Sequence, residues 1–218
     1  MIFFALCILG FLAYGQTIPY PFVHDDVVFI QQNPRIAFFD WKNIFQGTVI
    51  PVDPSSVINA YYRPLLELLY RVEYVFSGLD PSGYHFFNIL FHIANSFLVY
   101  CLVTVLVPGK KGSALAVAAL FLLHPVQSEA VACISGISNL LFAFLVLASL
   151  YCYLRNSIIS HVLSLLAFAL ALLAKEQAAV LPILIVLLEM ISPPSTTRPM
   201  RPRAVRIGGY FVVLIIYF

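Results

Sequence analysis

His24, Asp25 and Asp26 stand in one run, just past the first apolar stretch of the chain. Two neighbouring carboxylates repel each other, so one of them can act as a base toward a hydroxyl, or both can bind a divalent cation. The plainer alternative is a solvated acidic pair in a loop. Arg63 lies in Ala60-Tyr61-Tyr62-Arg63-Pro64-Leu65. A guanidinium flanked by tyrosines suits a phosphate-bearing head group, and it suits simple anchoring at the membrane surface equally well. His124-Pro125-Val126-Gln127-Ser128-Glu129 is dense in polar groups where an apolar run ends. There His124 and Glu129 can meet a substrate, or cap and bond neighbouring helices. Lys175-Glu176-Gln177 interrupts another apolar run. Its two charges are adjacent, so on a helix they point apart, toward separate partners. Charges at such depth are candidates for function; a snorkelling turn is the bland reading.

A fifth polar group lies inside an apolar span. His85, Asn88, His92, Asn95 and Ser96 cluster within about 100° of helical arc. Such stripes face the interior of a bundle. Interhelical hydrogen bonding is the first reading, and catalysis the second. His85 and His92 are two turns apart, too far for the usual i, i+4 metal pair, and no metal site is expected there.

The elements that position these groups follow from composition. Hydrophobic residues make up 61% of the 218 residues and charged residues 10%, against about 25% charged in soluble domains. Mean hydropathy is +0.95. A water-soluble globule is thereby excluded. Backbone groups in lipid must pair within the segment, and the runs do not alternate as barrel strands do, so the spans are helices. Cys7, Cys101, Cys133 and Cys152 have no CxxC spacing and read as small core residues.

The expected architecture is all-α, a polytopic transmembrane helical bundle. A first helix covers about 2–14, and a long polar and aromatic segment with Trp41 covers 17–83. Within it, Leu65 to Phe76 is amphipathic and suited to the membrane surface. Further spans are expected at about 84–107, 114–136 (breaking near His124-Pro125), 138–154, 158–174 and 177–191. Residues 207–218 fall short of a span, and the chain reads as the front part of a larger membrane domain.

The positive-inside rule sets orientation. Lys110, Lys111, Arg155, Arg198, Arg201, Arg203 and Arg206 share one side, the cytoplasm, if 158–191 is a hairpin. The other side then holds a large extracytoplasmic first loop, the 124–137 turn and Lys175-Glu176. It holds every acidic residue except Glu189.

The order Phe22-Val23-His24-Asp25-Asp26, Asn33, Tyr62-Arg63-Pro64-Leu65, Tyr84-His85 with Asn88 and His92, His124-Pro125-Val126-Gln127-Ser128-Glu129-Ala130-Val131 and Lys175-Glu176-Gln177 resembles a known family. It is similar to the membrane domain of the GT-C glycosyltransferases, in particular the transmembrane and tetratricopeptide-repeat protein O-mannosyltransferases and their bacterial relatives. The resemblance runs from about residue 22 to 190. It implies a GT-C-like helical bundle whose first extracytoplasmic loop bears the acidic catalytic motif. It also implies transfer of a sugar, mannose or another hexose, from a polyprenyl-phosphate donor to a protein or peptide hydroxyl. Asp25 and Asp26 match the acidic pair. Relatives often carry Gly-Arg, then a small and an acidic residue, after the His-Pro segment. Here Gly136 is followed by Ile137, Ser138 and Asn139. No tetratricopeptide repeat falls within the chain.

The reading is therefore a membrane glycosyltransferase domain, multi-pass, in a bacterial inner membrane or the endoplasmic reticulum. Asp25 and Asp26 are the catalytic candidates, with a divalent cation at the pair the one cofactor considered. Arg63, His124, Glu129, Lys175 and Glu176 form the substrate-binding set. Membrane lipid surrounds the protein, and no nucleic acid partner is expected. The rivals are a transporter or flippase fragment, with the 85–96 stripe lining a solute path, and an inactive truncated homologue serving as a membrane anchor.

Overall fold

The computed structural model describes residues 1–33, 36–37, 44–45, 62–155, 157–191 and 203–218. The middle of the expected first loop, with Trp41, and the arginines at 198 and 201 lie outside these. The described residues are helical, with no strand among them.

Apolar runs wind into α1 (Ile2–Tyr14), α2 (Pro64–Ser77), α3 (Pro81–Leu106), α4 (Lys111–Leu123), α5 (Ser128–Ala132), α6 (Ile137–Leu154), α7 (Ile158–Ala174), α8 (Leu181–Ile191) and α9 (Arg203–Tyr217). Local signals set several ends. Pro64 and Pro81 open α2 and α3, where a missing N–H costs nothing. Asp80 caps α3 by accepting from the Ser82 amide at 3.0 Å, and Ser157 caps α7 from the Ser160 amide at 3.0 Å. Gly78, at φ 57°, ends α2 in a left-handed conformation that suits glycine.

Pro125 ends α4. The residue before a proline is pushed out of the helical region, and His124 is extended at φ −67°, ψ 128°. The chain resumes as a 3₁₀ turn (Pro125–Gln127), then α5, then a second 3₁₀ turn (Ile134–Gly136). The axis bends by 47° at the break. A 3₁₀ segment, Glu176–Val180, joins α7 to α8.

Two apolar clusters hold the bundle. One gathers Leu6, Ile89, Ile93, Leu122, Val131 and Ile134, from α1, α3, α4 and the broken segment. The other gathers Leu145, Tyr153, Phe168, Leu172, Ile185 and Tyr210, from α6 to α9. Outward-facing side chains are also apolar: Ile158, Val162, Leu163, Leu166 and Leu170 run down α7 and are all exposed. Two helical runs, 81–106 and 134–154, are long and apolar enough to cross a membrane, and the bent pair 111–123 with 125–132 makes a third if it is one span.

α2 turns its charged residues toward the protein interior. It packs on α3 and α7, with Glu67, Arg71 and Glu73 buried while Val75 and Phe76 are exposed. Glu67 and Arg71 compensate each other as an i, i+4 ion pair. Neither oxygen of Glu73 finds a hydrogen bond among the described residues, and burial pushes its carboxyl well up.

Candidate functional site

Between α1 and a π-helical turn (Val27–Gln31), the chain makes a tight turn over residues 23–26. The Asp26 amide donates to the Val23 carbonyl at 3.0 Å. The Val23 amide donates back to Asp26 Oδ2 at 3.2 Å. The other carboxylate oxygen, Oδ1, accepts from the Ser135 amide at 2.7 Å. Asp26 is fully buried. At the tip of the turn His24 has φ 48°, a left-handed conformation that His adopts more readily than most side chains. Asp25 beside it is exposed. The adjacent acids thus have opposite environments.

Asp25 lines a cleft of about 770 Å³. Its walls come from separate parts of the chain: His24 and Asp25 from the first turn, Arg63 from the residue before α2, Glu129 and Ser135 from the broken segment, Asn139 from the first turn of α6, and Lys175 from the α7–α8 junction. Gly136 makes the broken wall tight. A Cβ there would stand 2.2 Å from the Ala130 carbonyl oxygen, so only glycine fits.

Two polar ties cross the cleft. Arg63 holds Glu176 in a bidentate pair, Nε to Oε2 at 3.1 Å and Nη2 to Oε1 at 2.7 Å. The fork geometry suits a carboxylate as it suits a phosphate. Arg63's hydrogen bonds hold the Glu176 carboxyl below the usual glutamate range. Lys175 donates to Asn139 Oδ1. Burial, and next the Arg63 charge, push the Lys175 ammonium down. The adjacent charges Lys175 and Glu176 thus reach different elements.

Of the residues singled out from sequence, Asp25, Arg63, Glu129 and Lys175 share the cleft, with Glu176 joined to it through Arg63. Asp26 sits behind it. His124 is not among the lining residues; its Nδ1 accepts from the Val126 amide at 3.2 Å and caps the 3₁₀ turn. Ser138 and Asn139 also line the cleft. Sequence reasoning noted them only as a departure from a family pattern, yet Asn139 is the partner of Lys175.

A chelated divalent cation does not fit the acidic pair. Both Asp26 oxygens are taken by backbone amides, so only Asp25 of the two faces the cleft. Among the described residues no group of three or more His, Cys, Asp or Glu is placed to hold a metal.

The α3 stripe is spent on the backbone. His85 Nε2 bonds the Tyr20 carbonyl at 3.1 Å and His92 Nε2 the Leu122 carbonyl at 3.0 Å. Asn88 Nδ2 donates to the Cys133 carbonyl at 2.7 Å and the Val131 carbonyl at 3.2 Å. Asn95 Nδ2 donates to the Leu140 carbonyl at 3.0 Å. Ser96 donates to the His92 carbonyl at 2.9 Å.

Among known proteins, the chain is 32% identical over 194 residues to "Protein O-mannosyl-transferase Tmtc1" of Drosophila melanogaster, covering 85% of this chain and 22% of that protein. It is 36% identical over 170 residues to human "Protein O-mannosyl-transferase TMTC3", covering 72% and 18%. Against human "Protein O-mannosyl-transferase TMTC4" it is 30% identical over 207 residues, covering 80% and 28%. The chain therefore spans between 18% and 28% of the length of these relatives. No family model matches it, and no solved structure matches significantly.

Proposed function

Since this chain is a homologue of the TMTC protein O-mannosyl-transferases, we propose that its cleft is the transfer site of a membrane glycosyltransferase. The donor is a polyprenyl-phosphate sugar, mannose or another hexose. The acceptor is a Ser or Thr hydroxyl of a protein. The domain is multi-pass, and the cleft opens on the extracytoplasmic face of the endoplasmic reticulum or of a bacterial inner membrane.

The observation that carries this reading is the convergence of Asp25, Arg63, Glu129 and Lys175 on one cleft from four distant segments. A transfer from a lipid phosphate needs a base for the acceptor and cations for the leaving group, and both kinds of group are there. The acceptor oxygen bonds to the anomeric carbon as the bond from that carbon to the phosphate oxygen breaks. The hydroxyl proton passes to Asp25, and the electron pair stays on the phosphate, where Lys175 and Arg63 stabilise it. Direct displacement inverts the sugar. Glu129, on the facing wall, orients the acceptor.

The transporter reading has little left to stand on, because the side-chain donors of its stripe are committed to backbone carbonyls. The decisive experiment is a transfer assay in membranes with labelled polyprenyl-phosphate mannose and a Ser/Thr peptide, using the full-length protein. Asp25→Asn is expected to lower transfer by about 10²–10⁴-fold with donor binding and membrane expression unchanged. Transfer at the unaltered rate would remove Asp25 as the base. No transfer by the unaltered protein would remove the glycosyltransferase reading.

A further inference from the structure

The geometry points to Asp26 as the positioning residue of the cleft: its carboxylate fixes where Asp25 stands against the opposite wall, and takes no part in the proton transfer. This rests on the glycosyltransferase reading for its consequence, though not for its geometry.

Three observations support it. First, Asp26 is fully buried and is not among the residues lining the cleft, so it touches no substrate there. Second, each of its oxygens accepts one backbone amide, Val23 at 3.2 Å and Ser135 at 2.7 Å. These donors lie more than a hundred residues apart, one in the turn that carries Asp25 and the other in the wall that carries Glu129. A single carboxylate therefore sets the spacing between the base and the facing wall. Third, neither side has slack. On one side Val23 and Asp26 are bonded to each other in both directions, which leaves His24 and Asp25 alone at the tip. On the other side, Gly136 packs directly on the Ala130 carbonyl.

The chemistry of the joint depends on a carboxylate. It offers an acceptor to each of two amides, and charged acceptors make the stronger hydrogen bonds. Asparagine offers one acceptor and one donor. With Asn at 26, either Val23 N–H or Ser135 N–H faces an NH₂ group and loses its partner. The turn then shifts, and Asp25 with it. Sub-ångström precision matters at a reacting centre, where a misplacement of about 1 Å can cost about 10²-fold.

The test combines amide hydrogen exchange with kinetics on the full-length protein in detergent or membranes. In the unaltered protein, the Val23 and Ser135 amides should exchange slowly and together, since one carboxylate holds both. In Asp26→Asn, exchange at one of the two amides, Val23 or Ser135, should quicken at least about tenfold, matching the loss of a charge-assisted bond, whereas Asp25→Asn should leave both unchanged. Transfer by Asp26→Asn should fall by about 10–10²-fold in kcat while keeping the acid limb of the pH profile, because Asp25 is still present as the base. Asp25→Asn should lose that limb along with the rate.

Rapid, unlinked exchange of the two amides in the unaltered protein overturns the proposal, and does so even if Asp26→Asn fails to fold. So does an Asp26→Asn enzyme whose acid limb vanishes as in Asp25→Asn, since Asp26 would then share the role of the base. A protein that transfers no sugar but shows the linked, protected amides refutes the activity and keeps the joint.

Discussion

The α3 stripe and the cleft both gather polar residues, neutral in the one and largely charged in the other, and use them in opposite ways. In the stripe, His85, Asn88, His92 and Asn95 each give a hydrogen to a backbone carbonyl. Their acceptor atoms, His Nδ1 and Asn Oδ1, stay unpartnered among the described residues. This asymmetry has a cause. A helix that breaks inside a bundle releases carbonyls, not amides, at its C-terminal end. The segment from Leu122 to Ile134 breaks twice, and Asn88 and His92 supply donors to its carbonyls, while His85 and Asn95 serve the Tyr20 and Leu140 carbonyls. In the cleft, by contrast, Asp25 and Glu129 face open volume. A polar residue near a membrane is therefore diagnosed by what satisfies it, rather than by its type.

The largest effect of breaking this comparison is expected at Asn88. Asn88→Leu strips donors from the Val131 and Cys133 carbonyls, at about 1–3 kcal/mol for each buried group left unpaired. His92→Phe should cost less, about 1 kcal/mol, because the Leu122 carbonyl keeps the Tyr14 hydroxyl at 3.0 Å. Thermal unfolding in detergent ranks the two; equal losses would mean the carbonyls are not what the stripe serves.

The Arg63–Glu176 pair comes next. If Arg63 is to receive a phosphate, Glu176 competes with it. Glu176→Gln should then tighten a non-hydrolysable polyprenyl-phosphonate analogue by about fivefold or less, the ~1 kcal/mol ceiling of a part-exposed pair. Weaker binding would assign Arg63 to holding the 3₁₀ segment between α7 and α8. The pair also carries a pH signature. Glu176 is depressed when folded, so its stabilisation is complete above the ordinary glutamate range and is lost as pH falls through the folded value. The stability gap between the unaltered protein and Glu176→Gln should be full above the ordinary glutamate range and close as pH falls below it. A gap that widens on acidification contradicts the pairing.

The smallest effect is expected at Glu129. It is exposed, and Glu129→Gln should change stability by no more than about 0.5 kcal/mol while raising the acceptor KM. A large loss of stability would move Glu129 to the stripe's side of the comparison.

Much of this was legible in sequence, in pieces. Apolar runs and low charge announced an all-helical membrane protein, and the model is all-helical over the described residues. Pro125 announced a break, and the spacing of 85, 88, 92, 95 and 96 announced an inward stripe. What sequence could not join was the stripe to the break. Asn88 and its carbonyl partners are 43 to 46 residues apart, and no local pattern encodes that distance. The same holds for Asn139. An amide at the start of a helix has nothing to mark it until Lys175 is folded against it. That Asp26 is buried and Asp25 exposed was not legible, because periodicity does not tell which of two neighbours a turn will bury. Likewise, α2 read as a surface helix because its charges suggested water, whereas Glu67 and Arg71 satisfy each other inside.

The left-handed backbone at His24 carries a consequence for how the chain tolerates drift. A β-branched residue in that conformation is strained by about 1–2 kcal/mol, while glycine is not and asparagine is only slightly so. In a saturation scan scored by abundance, position 24 should accept Gly and Asn and reject Val, Ile and Thr. Position 25, on the same tip but with φ below zero, should show no such bias. Scored by transfer instead, the pattern at 25 should collapse to Asp alone. A single tripeptide would then record two kinds of selection side by side, one written by backbone shape and the other by proton chemistry.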